Sequence, residues 1–147
     1  MLSKKGLYAV RALVVLTRAY PGGVTTKAIG SAQRLPRKFL EAILTELGRA
    51  GVTTSTRGRD GGHRLAREPG RISLAEVVRA MDGPLALMPC ASVTGYRPCD
   101  DCPDVEACRV RQAFAKGRDA LASVFESVTL ADLVDHPDVL EEIRESA

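Results

Sequence analysis

The stretch TTKAIGSAQRLPRKFLEAILTELGRAGVTTSTRGRDGGHRL, residues 25–65, determines the predicted fold. Thr25 and Thr26 are suited to capping a short helix over about 26–33. A Leu-Pro turn follows, and apolar residues spaced by three and four then predict a helix over about 36–50 that a glycine closes. The β-branched residues before the turn RGRDGG and the segment HRL after it predict a two-stranded hairpin. Helix, turn, helix and hairpin in this order are typical of a winged helix–turn–helix.

Further helices are predicted on both sides of this unit. Apolar periodicity predicts one over about 4–20, which Pro21-Gly22-Gly23 ends, and another over about 73–81 with Ser73 as its cap. A long helix is predicted over about 104–127. Its apolar residues outnumber those that one thin domain can cover, which favours a homodimer formed through this helix. The predicted fold class is therefore mainly α with a small β wing.

We divide the chain into three predicted parts. Residues 1–83 form a winged helix–turn–helix DNA-binding domain, residues 84–103 a cysteine-containing sensor loop, and residues 104–147 a dimerisation helix with a C-terminal tail. No run of about 18 apolar residues predicts a membrane span. Arginines interrupt the first apolar run too early for a secretory signal, so we expect a cytoplasmic protein with no membrane partner.

The two halves of the chain carry opposite charge. Residues 1–80 contain 15 Lys and Arg against 5 Asp and Glu, a balance of +10, and residues 81–147 contain 6 against 13, a balance of −7. Such asymmetry favours contact between the first half and a polyanion, although a solvated charged surface is the simpler alternative.

Polar residues at three places of the predicted winged helix are candidates for contact with double-stranded DNA. Those at the start of the second predicted helix can reach base edges in the major groove, and arginines in the wing suit phosphate or minor-groove contact. Polar residues at the start of the predicted helix over about 26–33 can bind a backbone phosphate. For the predicted helix over about 36–50, the alternative is an ordinary amphipathic helix that only packs on the core. The candidates are Thr25, Thr26, Lys27, Arg37, Lys38, Glu41, Arg57, Arg59 and Arg64.

Four cysteines lie within 19 residues, with the spacing Cys90-x8-Cys99-x2-Cys102-x5-Cys108. In a reduced cytoplasm such a cluster favours metal or redox chemistry over structural disulfides. Four thiolates in a short loop can hold an iron–sulfur cluster or zinc. Thiolates are also favoured near a helix N-terminus, which is where this loop ends. Structural zinc and reversible disulfides remain alternatives.

Several segments together form a specific pattern. They are Ser3-Lys4-Lys5-Gly6-Leu7-Tyr8-Ala9-Val10, Arg57-Gly58-x-x-Gly61-Gly62 with Arg64-Leu65, Ile72 to Asp82, Cys90, and Thr129-Leu130-Ala131-Asp132-Leu133. On these residues the chain resembles the IscR/NsrR/RirA (Rrf2) family of bacterial iron–sulfur winged-helix regulators over about residues 3–135. The resemblance implies a homodimer built on the long helix, palindromic operators, and a cluster that alters DNA affinity.

The cysteine segment departs from the family pattern. Sensors of the family often have three Cys with five residues between neighbours, which Cys102 and Cys108 keep, but eleven residues separate Cys90 from Cys102. Cys99 is extra, and could supply a fourth thiolate. Many relatives take a fourth ligand from a histidine or an acid at positions where this chain has Arg111 and Leu7. His63 replaces an aromatic residue that often follows the wing glycines, and a role in the wing is favoured over ligation.

The sequence therefore predicts a dimeric winged-helix repressor that senses redox state, iron or nitric oxide through a cysteine-ligated iron–sulfur cluster. A zinc-stabilised or thiol-switched regulator is the alternative, and a cluster carrier or electron-transfer protein is a weaker one. An enzyme is not expected. A thiol oxidoreductase would place the Cys99–Cys102 pair after a strand, whereas a loop, Thr94 to Pro98, precedes it.

Overall fold

The computed structural model describes residues 2–56, 58, 61–100, 102 and 104–135 of the 147-residue chain. Within them the helices are α1 (Lys4–Ala19), α2 (Thr26–Gln33), α3 (Arg37–Arg49), α4 (Leu74–Asp82), α5 (Arg109–Ser127) and α6 (Asp132–Asp135). Strands β1 (Thr53–Thr56) and β2 (Gly62–Leu65) form an antiparallel hairpin in which Thr53 pairs with Leu65. Short 3-10 turns occupy Pro69–Arg71 and Pro89–Ala91. The mainly α fold class with a small β wing is confirmed.

Local capping signals fix where three helices begin. Ser3, Thr25 and Ser73 are the N-caps of α1, α2 and α4, and each side-chain oxygen accepts a hydrogen bond from the backbone N–H three residues on. These bonds satisfy amides that lack a partner within the helix. Thr25 and Ser73 were predicted as caps, and α2 has its predicted bounds.

The predicted helix over 36–50 begins one residue later than expected, because Pro36 is its N-cap, and it ends at Arg49. Gly51 follows with a φ of 73°, which suits glycine, and the next amide, that of Val52, donates to the Leu47 carbonyl at 3.0 Å. This connection turns the chain directly into β1. It thereby fixes the wing beside the C-terminal end of α3.

The helices α1, α2, α3 and α4 and the wing share one apolar core. Its fully enclosed side chains include Leu13, Leu16, Ile29, Leu40 and Leu47, none of which exposes any surface. The chain returns to this core after α5, where Leu130 is also fully buried. Two backbone hydrogen bonds attach this returning segment to the residues before and at the start of α4. Leu74 N donates to Val128 O at 2.8 Å, and Leu130 N donates to Ile72 O at 3.0 Å.

The start of the long helix was predicted wrongly. The helix α5 begins at Arg109, with Cys108 as its N-cap, and not at residue 104. The Asp104 carboxylate accepts from the amides of Glu106 and Ala107, at 2.9 and 3.0 Å, and this local turn competes with helix formation. No residue of α5 is buried within the chain.

The helix α5 contacts the rest of the chain at the Pro89–Ala91 turn and, in its C-terminal half, at α4. There Ala122 and Phe125 pack against a second small cluster made of Ala75, Val78 and Leu85. No helix in the described part of the chain has the length and apolar character to cross a bilayer. The division at residues 83 and 103 stays a prediction.

Candidate DNA interface and cysteine centre

The rotation of α3 is set by its buried side. Leu40, Ile43, Leu44 and Leu47 lie in the core, which directs the opposite side of the helix to solvent. The exposed residues of that side are Arg37, Lys38, Glu41, Ala42, Thr45, Gly48 and Arg49. A helix that presents such a polar stripe can enter a major groove, whose width admits one helix.

Arg37 and Glu41 form an ion pair one turn apart at the start of α3. Nε of Arg37 donates to Oε1 of Glu41 at 2.9 Å, and the two side chains are 76% and 49% exposed. An exposed pair of this kind contributes little to stability. Its effect is to orient the carboxylate and the guanidinium side by side on the face of α3 that is open to solvent.

The structure brings four of the predicted DNA-contacting residues to one open cleft. Thr25, Thr26, Lys27 and Arg37 line it together with the wing, and its volume is about 490 Å³. Lys27 lies in the first turn of α2, where the free backbone N–H groups and the helix dipole favour an anion. The cleft therefore joins a helix N-terminus, two cations and a hairpin in a geometry that suits a phosphate backbone.

Of the predicted wing arginines, only Arg64 lies within the described residues; Arg57 and Arg59 lie outside them. Arg64 is exposed on β2, and its Nε donates to Thr54 Oγ1 across the hairpin at 3.3 Å. This cross-strand bond holds the Arg64 side chain along the exposed face of the wing.

His63 has a structural place in the wing. Its backbone exchanges hydrogen bonds with that of Val24, at 2.8 and 2.9 Å, which joins β2 to the segment before α2. The ring is partly buried, and burial lowers the pKa of His63 below its ordinary value of 6.5. The imidazole is accordingly a neutral group at pH 7.

Sequence reasoning missed residues on the exposed stripe of α3. Ala42, Thr45 and Arg49 follow Lys38 at intervals of four, three and four residues, so they continue the same face of the helix. The helical period that located the buried residues also contained this signal. Arg67 was missed as well, although it donates to the Gly51 carbonyl at 3.1 Å and pairs with Glu76 on α4.

The four cysteines lie in different environments. Cys90 is buried in the Pro89–Ala91 turn, and Cys99 is exposed. Cys102 and Cys108 are partly exposed and in side-chain contact with each other. Cys108 is the N-cap of α5, and its Sγ accepts from the backbone N–H of Arg111 at 3.5 Å.

The two neighbouring thiols have opposite pKa shifts. The hydrogen bond from the Arg111 backbone N–H lowers the pKa of Cys108, and partial burial raises the pKa of Cys102. The Cys108 hydrogen bond and charge also raise the pKa of Cys102, and Cys99 adds a smaller effect of the same sign. Cys108 is therefore the more readily ionised thiol of this pair, because the start of α5 stabilises its negative charge.

The chemistry of this donor set fits a thiolate-held iron–sulfur cluster or zinc. The positions of the side chains fit less well. No group of three or more His, Cys, Asp or Glu within the described ranges lies close enough together to hold a metal ion. The predicted ligands Cys90, Cys99, Cys102 and Cys108 are thus near one another in the chain, but no three of them are placed to hold one metal ion.

The two positions at which relatives carry other ligands have different roles here. Leu7 is 45% exposed on α1. Arg111 donates from Nε to the backbone carbonyl of Cys90 at 2.9 Å, so it binds the cysteine segment through hydrogen bonding.

The fold and the exposed face of α3 can be compared with known families. A family model described as Rrf2, iron-dependent transcriptional regulator, matches residues 2–136. The chain belongs to the Rrf2 family. Members of this family are DNA-binding transcriptional regulators and not enzymes, which confirms those two expectations.

Relatives in two organisms agree with this assignment. The chain is 41% identical over 138 residues to a protein of Rhodobacter capsulatus named as an Rrf2-like HTH-type transcriptional regulator, with 91% of this chain and 92% of that one covered. It is also 41% identical over 133 residues to the Mycobacterium tuberculosis HTH-type regulator Rv1287, which covers 90% and 80%.

Solved structures show the same fold. CymR, the global cysteine regulator of B. subtilis, has a TM-score of 0.75 at 27% identity, with 94% of this chain and 98% of that chain covered. IscR of T. potens has a TM-score of 0.69 at 28% identity, and the match covers 99% and 90%.

Proposed function

We propose that this chain is a homodimeric repressor that binds palindromic operators and senses redox state, iron or nitric oxide through an iron–sulfur cluster. Cys90, Cys102 and Cys108 are its proposed ligands, with Cys99 as the fourth ligand or a spare thiol. One observation carries the proposal: Cys108, in contact with Cys102, is the N-cap of α5. A change at the thiols therefore acts directly on the first turn of that helix.

The proposed ligands favour a bound cation in two ways. The backbone N–H groups at the start of α5 stabilise the Cys108 thiolate, and the loop leaves Cys99 and Cys102 open to solvent on at least one side. When bound, the cluster would supply a redox-active and chemically labile centre between the cysteine loop and the helix. An exposed, irregular loop suits such a labile centre better than a closed structural zinc site.

The proposed DNA contacts follow the cleft between α2, α3 and the wing. Lys27 and Thr25 would bind a phosphate at the α2 N-terminus, and Lys38 and Glu41 would approach base edges in the major groove. Arg64 would contact the DNA backbone from the wing. Arg57 and Arg59, which are proposed from the sequence alone, would do the same. Each cation that neutralises a phosphate makes affinity depend on salt.

The proposed dimer interface is the apolar stripe of α5. Val110, Phe114, Gly117, Leu121 and Val124 follow one another at intervals of four, three, four and three residues, which places them on one face of the helix. Its four large side chains are between 37% and 55% exposed. A second copy of the helix would cover them, and a shift of α5 would then change the distance between the two recognition helices.

The cluster is tested with protein purified without oxygen. Iron and sulfide analysis with a visible spectrum should show an iron–sulfur centre, and single Cys→Ala variants should locate its ligands. Loss of colour in the Cys90, Cys102 and Cys108 variants, with colour kept in Cys99→Ala, would make Cys99 the spare. Colourless wild-type protein with one zinc per chain would overturn the cluster and leave a zinc-stabilised regulator.

Operator binding is tested by selecting genomic fragments and measuring mobility shifts over a range of salt concentrations. The proposal requires an enriched palindromic sequence and a logarithm of affinity that falls steeply with the logarithm of salt. No enriched sequence, together with flat salt dependence, would contradict the assigned interface.

A thiol switch is the second candidate, favoured by the contact between Cys102 and Cys108. With hydrogen peroxide as oxidant, the two thiols would form one disulfide, lose two hydrogens and yield two molecules of water. B. subtilis CymR is a global cysteine regulator, which agrees with sulfur-linked control in a protein of this fold. Intact mass and peptide mapping of metal-free protein after peroxide would detect a Cys102–Cys108 bridge; DNA affinity that does not change with it would reject the switch.

A further inference from the structure

Two arginines of α5 donate to neighbouring backbone carbonyls of the turn that carries Cys90. Nε of Arg111 donates to the Cys90 carbonyl at 2.9 Å, and Nη1 of Arg118 donates to the Ala91 carbonyl. Because seven residues correspond to about two helical turns, the two side chains leave α5 on one face. We call these two side chains and two carbonyls the arginine clamp.

The two carbonyls depend on the clamp for their hydrogen bonds. Cys90 and Ala91 are 6% and 2% exposed. Among the described residues, no backbone amide donates to either carbonyl, since the amides of Ala91 and Ser92 donate to Met88 and Pro89 instead. Buried carbonyls are nearly always paired, so the guanidiniums supply partners that the local backbone does not provide.

Arg118 is oriented in this position by a neighbouring carboxylate. Its side chain is 18% exposed, and its Nε and Nη2 donate to Oδ1 of Asp119 at 2.8 and 2.6 Å. A guanidinium can bond to a carboxylate and a carbonyl together because its donors lie in a fixed plane, whereas a lysine ammonium lacks this geometry. The Ala91 carbonyl is therefore bound by an oriented donor.

The clamp is also the polar attachment of the N-terminal part of α5. In the described structure, the side-chain hydrogen bonds between residues 109–120 and residues before 100 are the two of the clamp. The C-terminal part is attached separately, through Phe125 and the 2.6 Å pair between Arg79 on α4 and Glu126. One path from the Cys90 turn to α4 therefore runs through the clamp and along α5, beside the direct one through residues 83–88, where Leu85 packs on Ala75 and Val78 of α4.

We propose that the arginine clamp transmits a change at the cysteines to α5, with Arg111 and Arg118 as positioning residues. The inference rests on the proposed function, because it requires that chemistry at the cysteines alters DNA affinity. When the Cys90 turn moves, its carbonyls move the N-terminal part of α5 with it. Without the clamp, the loop can rearrange while the helix stays in place, and DNA affinity then becomes independent of the state of the cysteines.

The first test measures this dependence directly. The dissociation constant for a selected operator fragment is measured with protein purified without oxygen and again after a chelator and an oxidant have removed iron. Wild-type protein should show a difference of about tenfold or more between the two states. Arg118→Met should reduce the difference to less than about threefold, and the matched control Arg109→Met, an exposed arginine of the same helix, should keep it.

The second test measures the turn itself by hydrogen exchange in reduced, metal-free protein. The amides of Ser92 and Arg97, both bonded to the Pro89 carbonyl, should exchange faster in Arg118→Met than in wild type or in Arg109→Met. Arg118→Lys, which keeps the charge without the fork, is measured in parallel so that the result does not depend on how well the methionine variant folds.

The outcomes separate the two ideas. If the DNA affinity of wild-type protein is the same in both states, the result contradicts the sensing function. It also contradicts the proposal that the clamp transmits a change from the cysteines to α5. If the DNA affinity of wild-type protein differs between the two states and that of the Arg118 variants differs by the same factor, the sensing function stands. The proposal that the clamp transmits the change is then rejected. Unaltered exchange at Ser92 and Arg97 in both Arg118 variants would likewise overturn it.

Discussion

The winged-helix part of the fold, which we call the body (the described residues between 2 and 83), and the segment from residue 84 to the end of α5, the second region, use their apolar residues differently. In the body, leucines of α1, α3 and the wing meet Ile29 of α2 in one core from which solvent is excluded. In the second region, Leu87 and Val93 are 73% and 75% exposed, and no residue of α5 is buried. The body encloses one core, to which Leu130 from beyond α5 also contributes, whereas the second region presents a surface that a partner can cover.

The largest expected effect compares one substitution in the two regions. Leu13→Ala removes a side chain with no exposed surface from the centre of the body, so it should lower the free energy of unfolding by about 2–5 kcal/mol. Leu121→Ala, on a residue 38% exposed, should cost clearly less in the monomer. Urea unfolding of both variants at low protein concentration measures the difference. Equal losses would show that α5 belongs to the same packed unit as the body.

The next effect concerns association. Leu121→Glu places a charge in the middle of the apolar stripe of α5, and burying an unpaired charge in an interface is costly. The dimer dissociation constant should rise by about a hundredfold or more, as measured by sedimentation or light scattering. Ala120→Glu, an exposed neighbour on another side of the helix, is the matched control. A monomeric wild-type protein at micromolar concentration would exclude this interface.

The two regions also differ in how well the sequence predicts them. The helix α2 has its predicted bounds, and α1 and α4 differ by one residue at the ends, because capping residues and apolar periodicity are local signals that agree with each other. The start of α5 was missed because Asp104 bonds to the amides that a helix would need. The spacing of apolar residues gives no sign of this competition between the local turn at Asp104 and the helix.

The cysteine centre was predictable as a set of residues but not as an arrangement. The spacing identified four thiols beside a helix start, and Cys108 does lie at that start. The contacts that hold the segment join residues far apart in the chain: Arg111 and Cys90 are 21 positions apart, and Arg118 and Ala91 are 27 apart. An arginine at a helical position gives no sequence signal for a buried carbonyl that comes from another segment.

A smaller effect distinguishes the charges of the two regions. Lys27→Ala, in the first turn of α2, should weaken DNA binding severalfold and reduce the slope of log affinity against log salt by about one, because one phosphate contact is lost. Lys116→Ala removes the same charge from α5 and should leave the slope unchanged. Mobility shifts at four or more salt concentrations give both slopes. Equal slopes for the two variants would mean that only the net charge matters.

The smallest effect is a pH dependence that belongs to the body. Because burial lowers the pKa of His63 in the folded state, the unfolded chain binds more protons as the pH falls through about 6.5. The stability supplied by neutral His63 is thus present above that pH and is lost as the pH falls through the native pKa. Carboxylates titrate mostly below this window, so they contribute little between about pH 7.5 and about pH 5.5.

His63→Gln should therefore reduce the fall in the urea midpoint over this range, while its backbone can still pair with Val24. The same comparison in Lys116→Ala, a change in the second region, should reproduce the wild-type pH dependence. If His63→Gln also follows the wild-type curve, the imidazole is charged as easily in the wing as in the unfolded chain. The contact between β2 and the segment before α2 would then be open to water. The exclusion of water that distinguishes the body from the second region would therefore stop short of the base of the wing.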